Sequence, residues 1–274
     1  MMDKHRPMGC AVVGVTANRH LRDGVHRDWL RRRYIEALMK YASVECVILP
    51  TIDGDRPSDA TIRTFREVMR RLDGLVLTGD ESDLDPDILC MNERVWARTE
   101  DDVVPGETDR PRDRLSWAAL TAAGELQMPV LGICRGLQEM NVYRNGTLHE
   151  DLSLSQKGIT HSENANLPRD EQYLPVHSVK VASGGLLLSV VKSGELQVNS
   201  LHKQGVATLG GGIQVEAVAD DDIVEALSYR NSPTFQLGLQ WHPEWHATKD
   251  NASQNIFKAF GRACDAYMAQ RWKK

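Results

Sequence analysis

The chain has 274 residues, 41% hydrophobic and 26% charged, with 33 Lys and Arg against 38 Asp and Glu for a formal net charge of -5. That length buries a sizeable core, and the composition excludes an intrinsically disordered chain. Basic residues are dispersed and no run nears the ~18 apolar residues of a membrane span, which argues against nucleic-acid and membrane partners.

In chain order, Ala11-Val12-Val13-Gly14-Val15 reads as a buried strand. This apolar run is too short for a signal-peptide core, so the chain is expected to be cytoplasmic. Leu30, Tyr34, Leu38 and Tyr41 follow at helical spacing, with Arg31-Arg32-Arg33 as a solvated face of the same helix. Val47-Ile48-Leu49 is a second strand, and Ile62, Phe65, Met69 and Leu72 mark a second amphipathic helix. Leu75-Val76-Leu77 is a third strand. A helix over residues 115–123 precedes a fourth strand, Val130-Leu131-Gly132-Ile133. Alternation of continuous apolar strands with helices predicts a parallel sheet covered on both faces.

The second half reads differently. Strands are expected over residues 176–181, 195–199, 213–218 and 235–241, separated by Gly-rich or polar turns, before a last helix carrying Ile256, Phe260, Cys264 and Met268 on one stripe. Residues 80–114, acidic and proline-punctuated, and the polar residues 153–174 read as long loops, each a lid or a surface excursion. No internal repeat and no linker interrupts the chain, so residues 1–274 are expected to form one domain. The five cysteines (Cys10, Cys46, Cys90, Cys134 and Cys264) are odd in number and contain no CxxC, as in a protein of reduced thiols.

One of these thiols stands apart. The fourth strand runs directly into Gly132-Ile133-Cys134-Arg135-Gly136 and then a helical Leu137-Gln138-Glu139-Met140. A sharp strand-to-helix turn between glycines presents its central side chain at the carboxyl end of the sheet. The helix N-terminus behind it favours negative charge on a sulfur or an oxyanion. The strand over residues 235–241 ends at His242-Pro243-Glu244. A nucleophilic cysteine needs an imidazole base, and the imidazole needs a carboxylate to fix its tautomer, so Cys134, His242 and Glu244 are the candidate catalytic set. His242, Glu244 and His246 also alternate like metal ligands, but Pro243 breaks the strand and no cysteine pair accompanies them. No metal and no cofactor are expected.

GICRGLQ, QWHPEW and LVLTG resemble the nucleophile elbow, the His-x-Glu motif and the oxyanion strand of class I glutamine amidotransferase-like proteins. With Asn141-Val142, Gly146-Thr147-Leu148 and Val198-Asn199-Ser200-Leu201-His202, the chain is similar to γ-glutamyl-γ-aminobutyrate hydrolases. The resemblance implies an α/β, flavodoxin-like three-layer sandwich with a mostly parallel central sheet and additional antiparallel strands. It further implies Cys134, His242 and Glu244 as triad, the backbone N–H groups of Gly79 and Arg135 as oxyanion hole, and Gln138, Ser200 and His202 as substrate-binding residues. The implied activity is hydrolysis of small γ-glutamyl amides in polyamine catabolism, with a small-molecule substrate as partner and a homodimer as one allowed assembly.

Some positions depart from that family pattern. Asp80 stands where a second glycine is usual, Lys203 where a histidine follows His202, and Asn145 where a Gly-Gly pair is common. Asp80, Glu81 and Asp83 would repel an acidic leaving group if they pointed inward, a repulsion that Arg112, Arg114 or Arg135 would offset. Two other functions compete: a glutaminase subunit feeding ammonia to a separate synthase, and a non-catalytic sensor of glutamyl ligands.

Overall fold

The computed structural model describes residues 9–54, 59–85, 108–152 and 158–271. Its strands are β1 (Val12–Thr16), β2 (Asn18–Arg22), β3 (Val25–Trp29), β4 (Glu45–Leu49), β5 (Gly74–Leu77), β6 (Val130–Ile133), β7 (Thr147–His149), β8 (His177–Val181), β9 (Glu195–Val198), β10 (Gly205–Thr208), β11 (Ile213–Ala219), β12 (Val224–Tyr229) and β13 (Gln236–Leu239). The helices are α1 (Arg32–Ala37, extended by a π-helical turn Leu38–Ala42), α2 (Asp59–Met69), α3 (Arg110–Leu126), α4 (Arg135–Tyr143), α5 (Arg169–Gln172), α6 (Leu186–Val191) and α7 (Asn251–Arg271). Among the described residues, none of these helices is long and apolar enough to cross a membrane.

Nine of the described strands form one sheet in the order β4-β1-β5-β6-β13-β12-β11-β8-β9. From β4 to β13 every pairing is parallel, and from β13 to β9 every pairing is antiparallel. This is the expected α/β fold with its antiparallel extension. β5, β6 and β13 are buried at every position. Alternate residues serve opposite sides: Val76, Leu131 and Ile133 join the core under α1 and α7, whereas Leu75, Leu77 and Val130 join the core under α3 and α4. Burial on both faces explains why β5 and β6 read as continuous apolar runs, whereas β13, with Gln236 and Gly238, does not.

Several elements differ from the expectation. Helix α3 begins at Arg110, so the acidic stretch ends earlier than 114, with Asp109 as N-cap accepting from Arg112 N–H and Pro111 in the first turn. The polar stretch contains α5. The 18–29 segment is a hairpin closed by Asp23 and Gly24, both at positive φ, the Asp-Gly turn signal that a helix-centred reading passes over. β12 was missed because five of its six residues are buried, leaving no alternation. Residues 86–107 of the acidic stretch, with Cys90, and residues 153–157 lie outside the described residues.

Candidate active site

Parallel pairing brings three chain segments to one edge. β5, β6 and β13 are aligned with Leu77 opposite Gly132 and Ile133 opposite Leu239, so all three end together. Thr78-Gly79 leaves β5, Cys134 leaves β6 and His242 follows β13. The sequence therefore needs no long-range coincidence to assemble the site; adjacency of the strands does it.

Cys134 turns at φ 53°, ψ -106° and caps helix α4. Its N–H donates to Leu239 O at 2.7 Å, tying the turn to β13. The turn works only because its flanks are small. A Cβ on Gly136 would strike the Leu77 carbonyl oxygen, and one on Gly132 would lie 2.7 Å from the Gly136 carbonyl. Gly79 is equally constrained: a Cβ there would meet His242 Cε1 and the Tyr34 hydroxyl at 2.8 Å and Cys134 Cβ at 3.0 Å. These contacts bring Gly79, Cys134 and His242 into one cluster.

His242 Nδ1 donates to Glu244 Oε1 at 2.8 Å, and both side chains are buried. Burial disfavours the imidazolium, but the charges of Glu244 and Cys134 and hydrogen bonds to both outweigh it, holding the His242 pKa well above its usual range. The backbone of His242 is clamped by Asn199, whose Oδ1 accepts from His242 N at 2.7 Å and whose Nδ2 donates to His242 O at 3.0 Å. Tyr173 packs edge-on to the imidazole with ring centroids 5.2 Å apart, and stacks on Trp245 at 3.6 Å. His246 faces away, its Nε2 at 3.1 Å from Asp170 O, so it does not join His242 and Glu244 as a ligand set.

The oxyanion-hole candidates are differently placed. Arg135 N–H belongs to the first turn of α4, where amides lack intrahelical acceptors. Gly79 N–H instead donates to the Tyr34 hydroxyl at 3.0 Å, and that hydroxyl lies 3.4 Å from His242 Nδ1. Tyr34, read from the sequence only as a helix-face residue, is thus part of the site.

The arginines after the turn and in α3 have a structural task. Arg112, fully buried, donates to Thr78 O at 2.8 Å, to Thr78 Oγ1 at 2.9 Å and to Glu139 at 3.0 Å. Arg135 is buried against Glu139 and, at 2.7 Å, Asp113. Together they lock the end of β5 to helix α4, and neither guanidinium is exposed to meet a leaving group. Asp80, whose carboxylate raised the question of repulsion, pairs with His20 at 3.6 Å and accepts from Ser82 N and Oγ. Its burial opposes ionisation, yet those bonds and Arg135 hold its pKa well below the carboxylate range.

Of the expected glutamyl contacts, Gln138 donates to Gln204 O at 2.9 Å. Ser200 Oγ donates to His161 O at 3.0 Å, and His202 Nδ1 donates to Gln204 O at 2.9 Å. All three are buried. At the rim, Arg31 and Arg169 both reach Glu81 Oε1 at 2.6 Å, and Arg33 lies over the Trp245 ring at 4.3 Å. Arg31, expected on a solvated helix face, is instead the N-cap of α1 with a largely buried side chain, and the fold alone brings it to Arg169 across 138 positions.

The peptidase C26 family model matches residues 11–244. The γ-glutamyl-γ-aminobutyrate hydrolase PuuD of Escherichia coli K12 is 35% identical over 265 residues, covering 96% of this chain and 97% of the relative. The glutamine amidotransferase-like protein YvdE of Lactococcus lactis is 33% identical over 204 residues, covering 74% of this chain and 79% of the relative. Among solved structures, the Trypanosoma brucei CTPS glutaminase domain with bound acivicin superposes with a TM-score of 0.55 at 15% identity, over 92% of this chain and 94% of that one. Strand-end geometry, the family match and near full-length similarity agree: the chain belongs to the peptidase C26 family of class I glutamine amidotransferase-like proteins.

Proposed function

We propose that the chain is a cysteine-dependent hydrolase of small γ-glutamyl amides, with γ-glutamyl-γ-aminobutyrate as the best substrate and glutamate and 4-aminobutyrate as products. Membership of the C26 family and the hydrolases among its relatives support amide hydrolysis as the reaction class. The observation that carries the finer reading is the meeting of Cys134, on its strained turn, with the buried His242–Glu244 pair beside Gly79.

In this reading His242 takes the proton of the Cys134 thiol, the sulfur attacks the γ-carbonyl carbon, and the carbonyl π electrons move onto oxygen. Arg135 N–H receives that oxyanion, joined by Gly79 N–H once the Tyr34 hydroxyl yields it; each such donor typically contributes about 3 kcal/mol to the transition state. The C–N bond then breaks as His242 gives its proton to the leaving nitrogen, leaving a thioester. His242 next takes a proton from water, whose oxygen attacks the thioester, and the thiolate departs with glutamate released. Glu244 keeps the imidazole in the required tautomer throughout. Gln138, Ser200 and His202 shape the glutamyl end by holding the backbone at Gln204 and His161.

The acid group of the leaving amine would be received at the rim by Arg31 and Arg169, taking the place of Glu81, whose side chain is 59% exposed. A charge-assisted pair of this kind contributes about 1.5–3 kcal/mol. Comparing kcat/KM for γ-glutamyl-γ-aminobutyrate, glutamine and a γ-glutamyl amide of a cationic amine tests the reading. The first should lead by tenfold or more, and Arg31→Met should erase that lead. A preference for glutamine would assign the chain to ammonia production instead.

A further inference from the structure

A second buried polar cluster lies in the antiparallel half, apart from Cys134, His242 and Glu244, and includes His202, whose Nδ1 holds Gln204 O. His161, His177 at the start of β8, His202 after β9 and Glu225 in β12 come from four separate stretches of chain. The side chains of His161 and Glu225 are fully buried, and those of His202 and His177 are 2% and 7% exposed. One Glu225 carboxylate oxygen, Oε1, faces His161 Nδ1 at 3.4 Å, His202 Nε2 at 3.5 Å and His177 Nε2 at 3.7 Å.

The hydrogen-bond accounting around this oxygen does not close. His202 Nδ1 donates to Gln204 O at 2.9 Å and His177 Nδ1 to Ser178 O at 3.2 Å. Each ring thus spends its proton on a backbone carbonyl and presents a bare Nε2 lone pair to a carboxylate. His177 Nε2, His202 Nε2 and both Glu225 oxygens have no hydrogen-bond partner among the described residues. The third ring is held from behind by His161 Nε2 donating to Asp221 Oδ2 at 2.9 Å, while its Nδ1, facing Glu225, also lies 3.2 Å from Ser200 Oγ. Lone pairs converging on an anion, beside a second buried carboxylate, are repulsive unless a cation lies among them.

We propose that His161, His177, His202 and Glu225 bind one divalent first-row transition-metal ion, with zinc the best fit. Metal–nitrogen and metal–oxygen bonds of 2.0–2.2 Å in a tetrahedron put neighbouring donor atoms about 3.3–3.6 Å apart; the His161 and His202 separations from Glu225 Oε1, 3.4 and 3.5 Å, fall in that range and that of His177, 3.7 Å, lies just beyond it. The donor atoms of His161, His177 and Glu225 all lie within 4.8 Å of one another. A histidine that ligates a metal typically gives its other N–H to a carbonyl or carboxylate, as all three do. Imidazole donors select zinc and its neighbours over calcium or magnesium. Four protein ligands leave no open position, so the ion is structural. It ties the 199–204 loop, which carries Asn199, to β8 and β12.

The test uses the full-length chain, purified without chelator, stripped with dipicolinate and titrated with CoCl2 and separately with ZnCl2. The expected result is the visible d–d absorption of tetrahedral Co(II) saturating at one equivalent, displaced by zinc, and a zinc-dependent rise in Tm. His177→Gln, at the least buried ligand, and His202→Gln should each weaken Co(II) binding at least ~100-fold, while His26→Gln on the β2–β3 hairpin leaves it unchanged. If either variant fails to fold, the other decides. Stripped wild type without saturable Co(II) absorption at one equivalent overturns the proposal, leaving a proton rather than a metal among these rings. So does absorption that persists in both variants.

Discussion

The parallel and antiparallel halves of the sheet each hold a buried histidine–carboxylate cluster, built in opposite ways. His242 and Glu244 are two residues apart and share a hydrogen bond of 2.8 Å, with the neighbouring strand end supplying Cys134. The His161–His177–His202–Glu225 cluster draws one residue from each of four segments, and His177 Nε2, His202 Nε2 and both Glu225 oxygens lack hydrogen-bond partners among the described residues. In the proposed catalytic cluster the imidazole is paired with one carboxylate, clamped from behind by Asn199 and set beside a single thiol. Where several rings face one carboxylate oxygen with their protons committed elsewhere, the arrangement suits holding a cation. Burial and residue type are the same in both; the direction of the ring N–H bonds separates them.

The largest loss is expected at Cys134. Cys134→Ala should lower kcat for a γ-glutamyl amide by at least about 10⁴-fold while Tm stays within a few degrees, since only one sulfur is lost from the turn. Residual turnover near wild type would move the chemistry away from the parallel half. Glu244→Gln should come next, with kcat down about 10³-fold and KM little changed. The His242 pKa is raised above the usual 6.5 with Glu244 among the causes, so the stability this pair contributes is fully present below 6.5 and lost as pH rises through the folded-state value. Removing the Glu244 charge should therefore shift the alkaline limb of kcat/KM to lower pH.

A smaller effect separates framework from chemistry. Gly136→Ala drives a methyl into the Leu77 carbonyl, backbone against backbone, and should cost roughly 1–3 kcal/mol in a urea melt. Surviving enzyme should keep a near-normal KM, because the turn either packs or does not.

The halves also differed in how far the sequence disclosed them. β5 and β6 were legible because burial on both faces leaves uninterrupted apolar runs, and Cys134 because it sits where one stops; His242 was legible at the end of the strand in which Phe235, Leu237, Leu239 and Trp241 alternate with polar or small residues. Gly79 was legible through the LVLTG strand end. β12 escaped for the lack of alternation, and with it Glu225, an acidic residue inside a strand otherwise apolar or small. The metal reading of the sequence fell on His242, Glu244 and His246, whose spacing invites it, whereas the rings that converge are 16, 25 and 23 positions from their sequence neighbours in the cluster. Tyr34, Arg31 and Arg169 were invisible as site residues for the same reason: a contact made by sheet order leaves no local pattern. Asn199 stood inside a recognisable stretch, but only the geometry reveals that it grips the His242 backbone.

Asn199 is also where the two clusters touch, and the smallest predicted effect concerns that junction. Its amide makes hydrogen bonds of 2.7 and 3.0 Å to His242 N and O and one of 3.3 Å to Tyr173 O, while the next residue, Ser200, holds His161 O. Asn199→Ala leaves those backbone groups without their buried partner and should cost about 1–3 kcal/mol of stability. Because His242 keeps its own Glu244 bond, kcat should fall only about tenfold, with KM nearly constant. Pairing this variant with His177→Gln makes a double-mutant cycle across the junction. If the 199–204 loop is held from both sides, the two losses should differ from additivity by at least about 0.5 kcal/mol in urea melts, since residues sharing a support do not act independently. Strict additivity would mean that the antiparallel cluster stabilises its own half alone, and that the grip on His242 owes nothing to it.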